Sequence, residues 1–87
     1  MFKTYFGRYG DRSKGNFSIK FPNGYTVSLA MGDGLFSTGN PDQGFGSVEV
    51  AAWDSDGNWV KLSDDNDVIG WQTPEQVLAI MNKIAAL

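Results

Sequence analysis

Between Val48 and Ser63 apolar and polar residues alternate on either side of Asp54-Ser55-Asp56-Gly57-Asn58. That turn suits a type I bend followed by a left-handed position at Gly57, the common three-residue hairpin connection. It pairs Asp54 with Asn58. Counting outward sets Trp53 against Trp59, Ala52 against Val60, Ala51 against Lys61, Val50 against Leu62 and Glu49 against Ser63. Side chains alternate across a sheet, so Val48, Val50, Ala52, Val60 and Leu62 form an apolar face. Glu49, Ala51, Trp53, Trp59, Lys61 and Ser63 form a mixed polar and aromatic one. A slip of one residue would mix the two sets.

The stretch from Phe17 to Met31 reads the same way about Pro22-Asn23-Gly24. Proline presets φ for the first turn position, and glycine takes a positive φ without a steric penalty. The three-residue loop sets Phe21 against Tyr25, Ile19 against Val27 and Phe17 against Leu29. A two-residue Asn-Gly turn would oppose Ile19 with Ser28 and spoil the pattern. Ser18, Lys20, Thr26, Ser28 and Ala30 then share the wetter face.

A 3.6-residue period appears only at the end of the chain. Thr73 is a good N-cap, Pro74 suits the first helical position and Glu75 favours the positive helix terminus, which predicts a helix from Pro74 to Ala86 within residues 73–87. Val77, Leu78, Ile80, Met81, Ile84, Ala85 and Leu87 form its apolar stripe, leaving Gln76, Asn82 and Lys83 to solvent. About three turns of helix are not stable alone and must pack on the sheet. Trp71, just before the cap, is expected to seal the helix against the sheet edge.

These elements predict an α+β domain spanning residues 1–87, with one antiparallel sheet of four to five strands and one C-terminal helix on one face. Residues 1–16 form a basic arm containing a possible first strand, Phe2 to Phe6. Residues 17–72 carry the hairpins and a long loop over 32–46. A chain of 87 residues buries only about two-thirds of its unfolded surface, which leaves no room for a second domain.

Charge is unevenly placed. Lys3, Arg8, Arg12, Lys14 and Lys20 lie in the first twenty residues with one acid, Asp11, whereas Lys61 and Lys83 are the only cations among residues 21–87, against the other nine acids. A basic arm with interleaved Tyr5, Phe6 and Tyr9 is a weak candidate for phosphate contact through Arg8, Arg12 and Lys14. The net charge of −3 favours a solvated arm.

The chain has neither cysteine nor histidine. Disulfides, thiolate sites, histidine metal sites and the Ser-His-Asp and Cys-His catalytic arrangements are therefore excluded. Paired carboxylates remain for glycosidase-type chemistry, but a deep cleft is hard to build on one sheet and one helix. The expectation is a non-enzyme without cofactor or metal. Asp54 to Asn58 resembles the start of a calcium loop, yet its glycine is fourth and no bidentate acid follows, so a plain turn is favoured. Asp64-Asp65-Asn66-Asp67 reads as a solvated strand-end loop. Gly32 to Gly46 is rich in glycine but lacks the lysine of a P-loop, and Leu35, Phe36 and Phe45 suggest a flap over the sheet.

No run approaches the roughly 18 apolar residues of a membrane span, and residues 1–16 lack the apolar stretch of a signal peptide. A cytoplasmic location is expected. Two tryptophans on the face opposite the core suggest a partner surface comprising Trp53 and Trp59 with Glu49 and Lys61 as polar rim, helped by Phe36 and Phe45 of the loop. The competing expectation is that the arm or the flap covers the pair.

Phe21-Pro22-Asn23-Gly24-Tyr25-Thr26-Val27-Ser28, Val50-Ala51-Ala52-Trp53-Asp54-Ser55-Asp56-Gly57-Asn58-Trp59 and Gly70-Trp71-Gln72-Thr73-Pro74-Glu75-Gln76-Val77 resemble blocks in small uncharacterised accessory proteins of tailed bacteriophages, over Phe17 to Leu87. The resemblance implies a phage protein acting in a bacterial host cytoplasm. It brings no activity, cofactor or binding residue. Small phage proteins of this size often bind and inhibit a host or defence protein complex, anti-CRISPR proteins among them. A nucleotide or small-ligand sponge using the amides of Gly32 to Gly46, and a nucleic-acid-associated virion component, are the alternatives. Oligomeric state is open.

Overall fold

The computed structural model describes residues 1–3, 14–32, 34–64 and 66–87. Its first hairpin joins β1 (Lys14–Lys20) to β2 (Thr26–Gly32) with the expected register: Ile19 opposes Val27 and Phe17 opposes Leu29. The loop closes through hydrogen bonds from the Phe21 amide to the Tyr25 carbonyl at 2.8 Å and from the Gly24 amide to the Phe21 carbonyl at 2.9 Å. β1 is an edge strand, and Phe17 stays half exposed although its partner Leu29 is buried.

β2 pairs with the long strand β4 (Gly44–Trp53), so that Val27 meets Ala52 and Leu29 meets Val50. Residues 32–46 are more than a flap. They contain a short strand β3 (Thr38–Asn40) that forms a hairpin with the start of β4. The buried Ser47 hydroxyl shares a 2.9 Å hydrogen bond with that of Thr38. Of the expected first strand, Phe2 makes a two-bond bridge to Phe45, while residues 4–6 lie outside the described residues.

The second hairpin follows the expected count only as far as Val60. The Asp54 amide donates to the Asn58 carbonyl at 2.9 Å, Gly57 sits at φ 85°, Trp53 bridges Trp59, and the Val60 amide donates to Ala52. The continuation with Lys61, Leu62 and Ser63 does not form. Instead, the amides of Leu62 and Ser63 both donate to the Asn66 carbonyl, turning the chain aside. β5 (Val68–Gln72) then resumes the ladder, Val68 opposing Ala51 and Ile69 opposing Val50. The described residues between Val60 and Val68 are thus an excursion inserted into the returning strand. It takes Asp64 and Asp67 away from the ladder and sets apolar Val68 and Ile69 beside β4.

The described residues thus form a five-stranded antiparallel sheet in the order β1-β2-β4-β3, with β5 also on β4, and one helix, α1 (Pro74–Ala85). The Thr73 hydroxyl accepts from the Gln76 amide at 3.3 Å, and the Gln76 side-chain carbonyl accepts from the Thr73 amide at 2.8 Å, a complete capping box. At the other end, the Asn23 side-chain amide donates to the carbonyls of Ile84, Ala85 and Leu87 at 2.9, 3.3 and 3.2 Å. The first hairpin loop therefore ties down the end of the helix.

Val77 and Ile84 of α1 are buried against Val27, Leu29, Val50 and Ala52, with Met31, Phe45 and Val48 completing the core. Each fully buried side chain of this kind contributes about 1.5–3 kcal/mol. The helix stripe is narrower than its sequence suggests. Ile80 and Met81 are partly buried, whereas Leu78, Ala85 and Leu87 are exposed. No helix among the described residues is long and apolar enough to cross a membrane.

Candidate functional site

Glu49, Ala51 and Trp53 are alternate residues of β4 and share the sheet face opposite the core. Neighbouring strands add Ala30, Ser28 and Thr26 from β2 and Val68 from β5 to that face. At one end Trp53 and Trp59 form a cross-strand pair, ring centroids 5.5 Å apart and edge to face. Trp53 is partly buried and Trp59 is 55% exposed.

A second aromatic pair occupies the other end. The rings of Phe36 and Trp71 are 5.0 Å apart, and these residues are 52% and 57% exposed. Trp71 does not seal the helix against the sheet, as its sequence position suggests. Its backbone lies in the left-handed region at φ 54°, and its amide donates to the Phe36 carbonyl at 2.9 Å. That backbone turn points the indole outward to Phe36. Gly70 makes room for the arrangement, because a Cβ there would stand 2.5 Å from Phe36 Cβ. The Phe36 amide also donates to a Glu49 carboxylate oxygen at 3.4 Å. Glu49, which holds the Phe36 amide, and Trp53 are four residues apart on β4, about 13 Å at roughly 3.3 Å per residue. Ala51 and its cross-strand partners Ser28 and Val68 lie between Glu49 and Trp53 on this face.

Of the residues expected at a partner surface, Trp53, Trp59, Glu49 and Phe36 share this region. Phe45 does not: it is 1% exposed, in the core, because its backbone is pinned by Phe2 on one side and β3 on the other. Lys61 also leaves the set, since the chain turns aside after Val60, and it lines a groove beside α1. Lys14 is exposed at the start of β1, while Arg8 and Arg12 lie outside the described residues.

Several amides among the described residues of the glycine-rich segment are engaged within it. The Gly32 amide donates to the Ser37 hydroxyl, Leu35 to the Gly32 carbonyl, Ser37 to the Leu35 carbonyl and Gln43 to the Asn40 side chain. The turn at Asp54 is likewise self-contained. Its carboxylate accepts from the Asn58 amide at 2.9 Å, the Asp56 amide at 2.9 Å and the Asn58 side chain at 3.2 Å. The Asn58 backbone hydrogen bond is the main reason its pKa is lowered from the ordinary value of 3.8; partial desolvation opposes the shift. Among the described residues no three acidic side chains gather as a metal site would require.

The groove beside α1 has a volume of about 260 Å³. Val60, Lys61 and Leu62 line one side of it, and Ile80, Lys83 and Ile84 of α1 line the other. Its side away from the helix is supplied where the chain leaves the ladder after Val60. That departure from simple alternation had only the acidic run as its signal in the sequence.

No family model, curated protein or solved structure matches this chain.

Proposed function

We propose that this chain is a non-enzymatic binding protein that docks on a host or defence protein complex, in the manner of an anti-CRISPR-like phage inhibitor, through the outward face of its sheet. The observation that carries the reading is the pair of aromatic clusters on that face, in which Phe36, Trp59 and Trp71 are each more than half exposed. Large aromatics dominate interface energetics, and contiguous exposed apolar surface on a small domain marks a contact site. Glu49 supplies a carboxylate between the clusters. The phage and host part of the reading rests on the sequence resemblance, and its non-catalytic part on the lack of histidine and cysteine.

The test uses Trp59→Ala, Trp71→Ala and the double variant. A host complex captured from infected bacteria is purified, and its binding to each variant is measured by calorimetry alongside the melting temperature. A hot-spot tryptophan is worth about 2 kcal/mol or more, so each single variant should bind roughly 30-fold more weakly. Binding by the double variant at wild-type strength overturns the interface. A melting loss that accounts for the weaker binding assigns these rings to stability instead.

A further inference from the structure

We propose that the groove between α1 and residues 60–62 binds a single-chain anionic amphiphile, a carboxylate with a hydrocarbon tail of about eight carbons. The argument begins with charge. Residues 21–87 hold nine acids and only two cations, Lys61 and Lys83. Both of those cations line this one groove, and no acidic residue does. Neither lysine is held in a salt bridge among the described residues. In an acidic body, the two cations outside the N-terminal segment therefore both border one apolar trough.

The trough's shape selects the ligand. Ile80, Lys83 and Ile84 are three and four residues apart and present one helix face, while the consecutive residues Val60, Lys61 and Leu62 line the other side. Lysine stems cover apolar surface while the ammonium stays in water, so a carboxylate at the rim meets both charges as its tail enters the trough. At about 30 Å³ per small group, the liquid volume of one water, 260 Å³ accommodates about eight or nine such groups. That is below the range of roughly 300–1,000 Å³ typical of drug-sized ligands. No aromatic side chain lines the groove to stack a nucleobase. The groove is separate from the aromatic face, and this proposal does not rest on the function proposed above.

The experiment titrates the full chain with sodium salts of straight-chain carboxylates from five to ten carbons, and with 1-octanol, following methyl resonances by NMR. Saturable shifts confined to Leu62, Ile80, Ile84 and their neighbours are expected. Affinity should rise about fourfold per methylene, the equivalent of about 0.8 kcal/mol, and level off near eight carbons. Octanol, lacking charge, should bind at least tenfold more weakly than octanoate. Lys61→Gln with Lys83→Gln should erase that difference without lowering the melting temperature, as both side chains are exposed. Ala79→Leu, which fills the groove from the helix, should abolish binding of both ligands. Non-saturating or scattered shifts, equal binding of octanol and octanoate, or undiminished octanoate binding by the lysine double variant each overturn the proposal. So does a shift pattern that tracks self-association in sedimentation, or saturation by an acidic peptide where octanoate gives none.

Discussion

Ile84→Ala and Ile80→Ala lie one turn apart on α1 yet should differ sharply in effect. Ile84 is 2% exposed, so truncation forfeits nearly the whole transfer term of three carbon groups, about 2.4 kcal/mol at about 0.8 kcal/mol each. A closed void would raise the loss toward the upper end of the usual range of about 2–5 kcal/mol. Here Ile84 also walls the groove beside Lys83, so the lost volume opens into the groove and the cavity term stays small. A loss of about 2.5–3 kcal/mol follows. Ile80, which sequence periodicity alone places in the same stripe, is only partly buried and should lose about 1 kcal/mol. In a domain of this size 1 kcal/mol moves the melting temperature by about 4–8 °C. Urea unfolding with an unchanged m-value measures both losses. A greater loss for Ile80→Ala than for Ile84→Ala, or less than about 1 kcal/mol for Ile84→Ala, would refute the assigned helix face.

Asn23→Ala removes the side chain that ties the loop to three carbonyls at the end of α1 and should cost about 1 kcal/mol in urea unfolding. Asn23→Asp should cost more, because it cannot donate and sets a negative charge at the negative helix end. Asp54 has a lowered folded-state pKa, so its stabilising effect is complete above the unfolded value near 3.8 and is lost as pH falls through the lower folded value. Comparing urea midpoints at pH 7 and pH 3, Asp54→Asn should show a smaller acid loss than the wild type; an equal loss would refute the assignment. Trp71→Gly relieves a left-handed backbone worth roughly 1–2 kcal/mol but forfeits the Phe36 contact, so thermal unfolding should show little net change or a gain.

What could be read from the sequence was local. Both turns announced themselves through glycine at the left-handed position, and from each turn alternation alone set the partners of Phe17, Ile19, Trp53 and Val60. The helix start was equally legible at Thr73 and Pro74, although Gln76, set aside as a solvent residue, completes the capping box. The misread features depend on contacts distant in sequence. A ladder that pauses at Lys61 and resumes at Val68 preserves inward alternation on both sides of the break, so periodicity cannot report it. The burial of Phe45 depends on Phe2, which is forty-three positions away. Asn23 looks like an ordinary turn residue until the helix end arrives 61 residues later. The candidate site was half legible for the same reason: alternation placed Trp53, Trp59 and Glu49, but not Trp71 beside Phe36.

The position of Trp71 bears on how the outward face is used. A left-handed backbone costs a side-chain-bearing residue roughly 1–2 kcal/mol that glycine would avoid. The conformation is held from both sides. The Trp71 amide donates to Phe36, and the Gln72 side chain donates back to the Gly70 carbonyl at 3.0 Å, immediately before the capping box begins. What the strain achieves is direction: the indole meets Phe36 on the exposed side of Gly70 instead of packing under the helix. Strained residues persist where their surroundings over-determine them, and they cluster at binding and switch sites. If the indole served the core, its burial would offset the cost, but Trp71 is 57% exposed. The Phe36 contact, worth about 0.5–1.5 kcal/mol, only about balances it. A bulky aromatic is thus kept outward at a place where glycine would fold about as well, and that favours the aromatic face as a surface that binds.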